Sequence, residues 1–238
     1  MKKLVCIVLC LLSLFSISAC SFLNYALLDK SDFEIIYVKG LLDTHCHGEG
    51  DSNFLTLTDS DIEDIRDAYA YTLETEAEFM AYYWGILNDS AGEVYEDLSE
   101  KLKAELVELA GKLYPLTKYE VTTSVKNDDG SYDVYVSYEP LNIMVQAEEK
   151  YAEYEPLQDF YEKYLDADVN SMSDEEYTAY TDEYGMIVID LIESLLSEDC
   201  YNNPKVGVIK VRDIDGVYEA EDFWDVANEF IYYIGYSD

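Results

Sequence analysis

Residues 43–47, Asp-Thr-His-Cys-His, form the one short segment of this chain whose residue types and spacing could perform chemistry. Imidazole nitrogens, thiolates and carboxylates are the ligands that zinc takes from proteins. On a β-strand, residues i and i+2 point to the same side, so His45 and His47 could there reach one metal ion. The segment is therefore a candidate metal site, with His45 and His47 as its weak candidate ligands.

The Asp-x-His-x-His pattern resembles the metal-binding opening of amidohydrolase-type and related metal-dependent hydrolases. That resemblance implies further histidine ligands, but His45 and His47 are the only histidines of the chain. The remaining sequence also lacks the strand–helix alternation of a barrel. The segment falls at the end of a predicted helix, where residues i and i+2 do not share a face. We therefore predict no metal, no cofactor and no enzymatic activity, and expect cationic imidazoles near the negative end of a helix.

The first twenty residues predict where the protein works. Two lysines precede an apolar run at residues 4–17, and small residues then lead to Cys20, an order typical of an export signal. The segment Ile17-Ser18-Ala19-Cys20 resembles a bacterial lipobox. The resemblance implies a signal peptide over residues 1–19 and a lipid such as palmitate on Cys20, which becomes the first residue of the mature chain.

Two other interpretations of this segment stay open. An ordinary secretory signal would leave Cys20 unmodified, and an uncleaved anchor would keep the apolar run in the membrane. A spanning helix needs roughly 18 or more apolar residues, and this run is shorter. With the lipobox, we expect a cell-surface lipoprotein on the outer face of the cytoplasmic membrane, with residues 20–31 as lipidated N-terminus and tether.

The charge of the chain is strongly negative. It has 51 acidic against 15 basic residues and a net charge of −36, which becomes −38 when the two lysines of residues 1–19 are removed. The resulting potential repels nucleic acid and a bare anionic bilayer, so we predict no nucleic-acid partner. The charge suits solubility at a crowded cell surface, and the sharper alternative is capture of a cationic ligand or a basic protein partner.

Hydrophobic spacing predicts an α+β fold in a single acidic domain over residues 32–238. The predicted helices cover about residues 33–46, 62–87, 97–113, 140–165 with a division at Pro156, 173–195 and 223–234. The predicted hairpins pair residues 119–126 with 132–138 and residues 205–213 with 217–220. Because an isolated hairpin is marginally stable, we expect the long helices to pack on one small antiparallel sheet of about four strands.

Two helix starts carry the capping-box pattern, Ser or Thr followed three residues later by Glu. These are Ser60 with Glu63 and Ser173 with Glu176. Cys46 and Cys200 are the cysteines that would accompany Cys20 in the mature chain. Outside the cytoplasm they could form a disulfide, and two packed thiols are the equal alternative.

Tyrosine is unusually abundant, with 24 copies. Tyrosines at helical spacing are mostly half-buried packing residues, but some aromatic side chains could contact a ligand. The weak candidates for an extracellular ligand-binding surface are Tyr82, Trp84, Trp224 and Tyr233, with Tyr83 and Tyr232 beside them.

The chain as a whole resembles the small uncharacterised lipoproteins of Gram-positive, clostridial-type gut bacteria. The resemblance lies in the lipobox, the acidic helix around Glu74-x-Glu76-Ala77-Glu78-Phe79, the strand Tyr119-Glu120-Val121 and the helix start at residues 173–177. Some of these lipoproteins resemble the cone-shaped NTF2-like fold, and the group implies no particular activity. We expect a non-enzymatic binding or interaction domain. The alternatives are a metal-dependent hydrolase using residues 43–47 and a solute-capture lipoprotein for a transporter.

Overall fold

The structure, a computed structural model, describes residues 32–88, 92–196 and 200–234. The predicted signal peptide, Cys20 and the tether lie outside these residues. The helices are α1 Phe33–His47, α2 Ser52–Thr58, α3 Ile62–Tyr83, α4 Glu100–Leu113, α5 Ile143–Tyr151, α6 Glu155–Lys163, α7 Asp174–Glu193 and α8 Phe223–Ala227. The strands are β1 Lys118–Lys126, β2 Tyr132–Glu139, β3 Lys205–Ile214 and β4 Val217–Ala220.

The four strands form one antiparallel sheet in the order β1-β2-β3-β4. The two predicted hairpins are joined through β2 and β3, which place Val134 opposite Ile209 and Tyr132 opposite Val211. This arrangement confirms the predicted α+β fold with a small antiparallel sheet. The NTF2-like interpretation stays a prediction.

The described residues divide into two compact units. The first, here called the sheet unit, comprises residues up to 70 together with 118–138 and 204–228. The second, the helical unit, comprises residues 71–117, 139–203 and those from 229 onward. The single domain over residues 32–238 stays a prediction.

Helix α1 packs in the sheet unit through its aromatic side chains. The Phe33 and Tyr37 rings lie 6.4 and 5.6 Å from the ring of Tyr218 on β4. Gly40 lets α2 approach α1 closely, because a Cβ atom at this position would stand 2.0 Å from Cγ of Phe54. The helix ends at Gly48, which takes the left-handed conformation (φ 63°) that favours glycine, as the sequence predicted.

Helix α2 is an element that sequence analysis missed. Asp51 caps it by accepting hydrogen bonds from the N–H groups of Asn53 and Phe54 (2.8 and 2.9 Å). The helix is only seven residues long and follows a Gly-Glu-Gly-Asp stretch, so its sequence reads as a continued loop.

The two predicted capping boxes have different outcomes. At α7, the Ser173 N–H donates to Glu176 Oε2 (2.9 Å) and the Glu176 N–H donates to Ser173 Oγ (3.4 Å), as predicted. The box predicted at Ser60 and Glu63 is wrong by one residue.

Helix α3 is instead capped by Asp61. Its Oδ1 accepts from the N–H groups of Glu63 and Asp64 (2.8 and 3.1 Å), and its own N–H donates to Asp64 Oδ2 (2.9 Å). Ser60 is drawn to the end of α2, where its N–H donates to the Leu55 carbonyl (3.1 Å). The preceding residues therefore decide which of two adjacent capping residues starts the helix.

The helical unit has a leucine core. One face of α4 carries Leu102, Leu106, Leu109 and Leu113, all of which are buried. Gly185 of α7 lies against Leu102. A Cβ atom added at Gly185 would stand 2.7 Å from Leu102 Cδ1. Pro156 stands in the first turn of α6, which confirms the predicted division between α5 and α6.

The last predicted helix is shorter than expected. It ends at Ala227, although its apolar spacing continues to Ile234. The chain beyond it pairs instead with the segment at Leu141: the Leu141 N–H donates to the Phe230 carbonyl and the Tyr232 N–H donates to the Leu141 carbonyl (2.8 and 2.9 Å). These extended contacts replace the helical hydrogen bonds. No helix within the described residues has both the length and the apolar character needed to cross a bilayer.

Candidate functional site

Residues 43–47 form the last turn of α1 in the sheet unit. His45 is 8% exposed, and its ring meets Phe223 and Trp224 edge-on at 5.8 and 5.3 Å. This burial lowers the pKa of His45 to about 4. The predicted cationic imidazole is therefore wrong for His45, because removing the charged ring from water costs more than the helix end favours it.

His47 belongs to a different group of side chains. Its ring stacks on Tyr119 of β1 at 5.5 Å, and Nδ1 lies 3.2 Å from the Tyr119 hydroxyl. That hydroxyl donates its single proton to Asp43 Oδ1 (2.7 Å), so His47 Nδ1 must be the donor toward Tyr119. Burial is the main cause that raises the pKa of Tyr119, which keeps this phenol protonated.

The two imidazoles thus contact separate sets of neighbours. Across the described ranges, no group of three or more His, Cys, Asp or Glu side chains is placed to hold a metal ion. Cys46, between the two histidines, is buried, and Cys200 is a buried thiol of the helical unit.

A cavity of about 250 Å³ opens in the helical unit. Its lining combines the turn after α3, the loop before α4, the end of α6 and one face of α7. The polar and aromatic side chains that line it are Tyr161, Tyr177, Tyr180, Thr181, Tyr184, Asn88 and Glu93. We call it the tyrosine pocket. None of the described residues that line it is basic.

The α7 tyrosines share a face because of their spacing. Tyr177, Tyr180 and Tyr184 recur at i, i+3 and i+7, which places them on one side of a helix. Phe160 of α6 supports two of these rings, with its centroid 5.1 Å from Tyr180 and 5.5 Å from Tyr184. Phe160 itself is buried, so the rings rest on a packed base.

Hydrogen bonds fix the hydroxyl groups beside the pocket. Tyr184 donates to the backbone carbonyl of Trp84 (2.8 Å), so its oxygen accepts from Tyr151 at 2.5 Å. Tyr151 in turn accepts from Tyr161 at 2.6 Å, because its one proton is already given to Tyr184. The protons of all three hydroxyls therefore go to acceptors within the protein.

Glu93 brings a carboxylate to the pocket. Its Oε2 accepts from the Asn88 N–H (2.7 Å), and its Oε1 accepts from the hydroxyl of Tyr177. Burial and the Glu93 carboxylate raise the pKa of Tyr177 to about 12, so the phenol stays a donor near neutral pH. Tyr82 donates to the Glu93 backbone carbonyl (3.1 Å) and helps to position the loop.

None of the four main aromatic candidates predicted from the sequence lines the tyrosine pocket. Trp84 is buried and stacks on Tyr151 at 5.9 Å, and Tyr82 supports the Glu93 loop. Tyr233 is buried in the helical unit, where its hydroxyl donates to the carboxyl group of Glu76. Trp224, in the sheet unit, is 38% exposed beside His45. Their roles in ligand binding stay predictions.

No protein-family model matches the chain, and no curated protein is detectably similar to it. Among solved structures, the crystal structure of a protein provisionally described as a lipoprotein, YcdA of Bacillus subtilis subsp. subtilis strain 168, matches with a TM-score of 0.49 and 16% identity. The match covers 83% of this chain and 56% of that protein, so this chain spans little more than half of its length. No ligand or activity follows from a similarity of this degree.

Proposed function

We propose that the chain is a lipid-anchored binding protein of the outer face of the cytoplasmic membrane, and that the tyrosine pocket binds its ligand. The observation that carries the binding role is the pocket itself. It is concave, lined by aromatic rings with fixed hydroxyl groups, and it holds one oriented carboxylate, which are the usual components of a small-molecule site. Protonated tyrosines and a carboxylate already held by two donors suit binding rather than chemistry.

The anchoring role rests on the segment before the described residues. Small residues end at Cys20 after an apolar run of secretory length, which is where a lipid-modified cysteine stands. Each buried methylene of the lipid contributes about 0.8 kcal/mol to membrane binding, so two or more acyl chains hold a protein stably. A strongly anionic domain would then stand off an anionic membrane surface on the tether at residues 20–31.

Cys20→Ala should abolish incorporation of a labelled palmitate analogue into the protein expressed in a Gram-positive host. The lipid is attached to the sulfur atom of Cys20. Alanine removes this atom and keeps the pattern of small residues. Cys10→Ala is the matched control, because that cysteine lies within the predicted signal peptide and should leave labelling unchanged. If Cys20→Ala is still labelled, or if the wild-type protein carries no label, the lipoprotein interpretation is wrong.

Val169→Trp should block the pocket, since this half-buried valine lies in its wall and an indole would occupy the cavity. The test is thermal unfolding of the mature chain with glucose, alanine or choline as separate probes. A ligand at about 100 times its Kd stabilises by about 2.7 kcal/mol, which raises Tm by roughly 5–10 °C in a chain of this size.

We expect at least one probe to raise Tm in the wild type but not in Val169→Trp. Val125→Trp, at a valine on β1 that is 49% exposed, is the matched control and should keep the shift. If no probe changes Tm, or if the shift survives in Val169→Trp, the pocket is not the binding site.

A further inference from the structure

We infer that the tyrosine pocket selects a small organic cation, an alkylammonium ion of the choline class. This inference rests on the proposed function and names the ligand chemistry of that site. Three features of the pocket support it: its rings, the direction of its hydroxyl hydrogen bonds, and its charge.

The rings provide the attraction for a methylated cation. The faces of tyrosine rings carry negative potential, and clusters of such rings recognise quaternary ammonium groups. The cavity is lined by four tyrosine rings, those of Tyr161, Tyr177, Tyr180 and Tyr184. The cavity, about 250 Å³, is smaller than the range of roughly 300–1,000 Å³ usual for drug-sized ligands, so it suits a compact ion.

The hydroxyl hydrogen bonds use up most of the phenol protons of the pocket. Tyr161 donates to Tyr151, Tyr184 donates to the Trp84 carbonyl, and Tyr177 donates to Glu93. Three of the four phenols therefore have no proton left for a bound molecule. These three phenols therefore give an anionic ligand, such as a carboxylate or phosphate, no donor.

The charge of the pocket points the same way. Glu93 supplies a carboxylate, and the described lining residues include no lysine, arginine or histidine to balance it. Lys163, two residues after Tyr161, is paired with Glu183 (2.6 and 2.7 Å) and lies over the ring of Tyr164 at 4.8 Å. The net charge of −36 adds a long-range field that attracts cations.

Calorimetric titration with choline and with its neutral carbon isostere, 3,3-dimethylbutan-1-ol, tests the inference. The two molecules have nearly the same shape, so only the charge distinguishes them. We expect saturable one-to-one binding of choline and an affinity for the isostere that is about tenfold lower, the size of effect that cation–π contacts give.

Two substitutions separate the charge from the rings. Glu93→Gln keeps the shape and should weaken choline binding about tenfold, by removing a partly desolvated carboxylate. Glu96→Gln is the matched control, because Glu96 is an exposed acid of the same loop that does not line the pocket. Tyr161→Leu should weaken choline binding severalfold while the protein stays folded, since Tyr161 is 48% exposed.

The cation inference is overturned if the protein binds choline and the isostere with equal affinity. It is also overturned if Glu93→Gln binds choline as tightly as the wild type does. Absence of choline binding overturns it as well. In each of these cases the proposed function still stands if glucose or alanine raises Tm in the wild type and not in Val169→Trp. The two failures are therefore distinguishable.

Discussion

Gly40→Ala is expected to lower the free energy of unfolding by about 3 kcal/mol, the upper end of the usual cost of adding atoms to a packed core. The new Cβ atom would stand 2.0 Å from Cγ of Phe54, so α1 and α2 must separate or the Phe54 ring must leave its place. The gain from placing alanine rather than glycine inside a helix, about 0.5–1 kcal/mol, is too small to offset this. Urea unfolding followed by circular dichroism measures the difference.

Gly111→Ala is the matched control, because it makes the same chemical change within another helix. The nearest atom to its added Cβ would be Leu73 Cδ1 at 3.8 Å, an ordinary contact distance. This variant should be about 0.5–1 kcal/mol more stable than the wild type. Phe54→Leu should reduce the cost of Gly40→Ala, since a smaller side chain leaves room for the methyl group. If Gly40→Ala is as stable as the wild type, α1 and α2 do not approach each other as described.

The second large effect is a loss of stability in mild acid caused by His45. Burial lowers the pKa of this imidazole to about 4, whereas in the unfolded chain it takes up a proton near its ordinary value of 6.5. Between these pH values the unfolded chain binds more protons than the folded protein, so stability falls as pH falls. The shift corresponds to roughly 3 kcal/mol, present above pH 6.5 and lost as pH approaches 4.

Substitution of His45 isolates this contribution from that of the many carboxylates. His45→Gln should lose less stability than the wild type between pH 7 and pH 4.5. The chain has two histidines, so NMR can follow each imidazole directly. A His45 ring that titrates near pH 6.5 would contradict its placement against Phe223 and Trp224.

The local elements of the fold could be predicted because their signals are local. The alternation in β2, the leucine spacing of α4 and the capping box at Ser173 each depend on a few neighbouring residues, and each is found in the structure. The alternation predicted for β1 holds only to Val121, since Thr123 and Val125 are exposed and Ser124 is half-buried. The prediction failed where distant segments compete. Apolar spacing predicts a helix to Ile234, but the chain after Ala227 forms hydrogen bonds with Leu141 instead.

The candidate site could not be predicted for a related reason. Glu93, Tyr161 and Tyr177 belong to different elements, and only the packing of α6, α7 and the loop before α4 brings them to one cavity. The spacing of Tyr177, Tyr180 and Tyr184 was a visible signal, but buried packing residues show the same spacing. For His45 and His47, spacing indicated that they do not share a face, while the neutral state of His45 depends on α8, a helix more than 170 residues away along the chain.

The pairing of β2 with β3 has a consequence for the order in which the protein can be built. The two strands are separated by residues 140–204, and synthesis proceeds from the N-terminus, so the first hairpin emerges well before its partner strand. Until β3 arrives, β2 presents an edge with alternating apolar residues, among them Val134 and Val136. Such an edge is a template for pairing with another chain. A nascent or truncated chain that stops before residue 204 would therefore carry an aggregation-prone edge that the full-length protein covers.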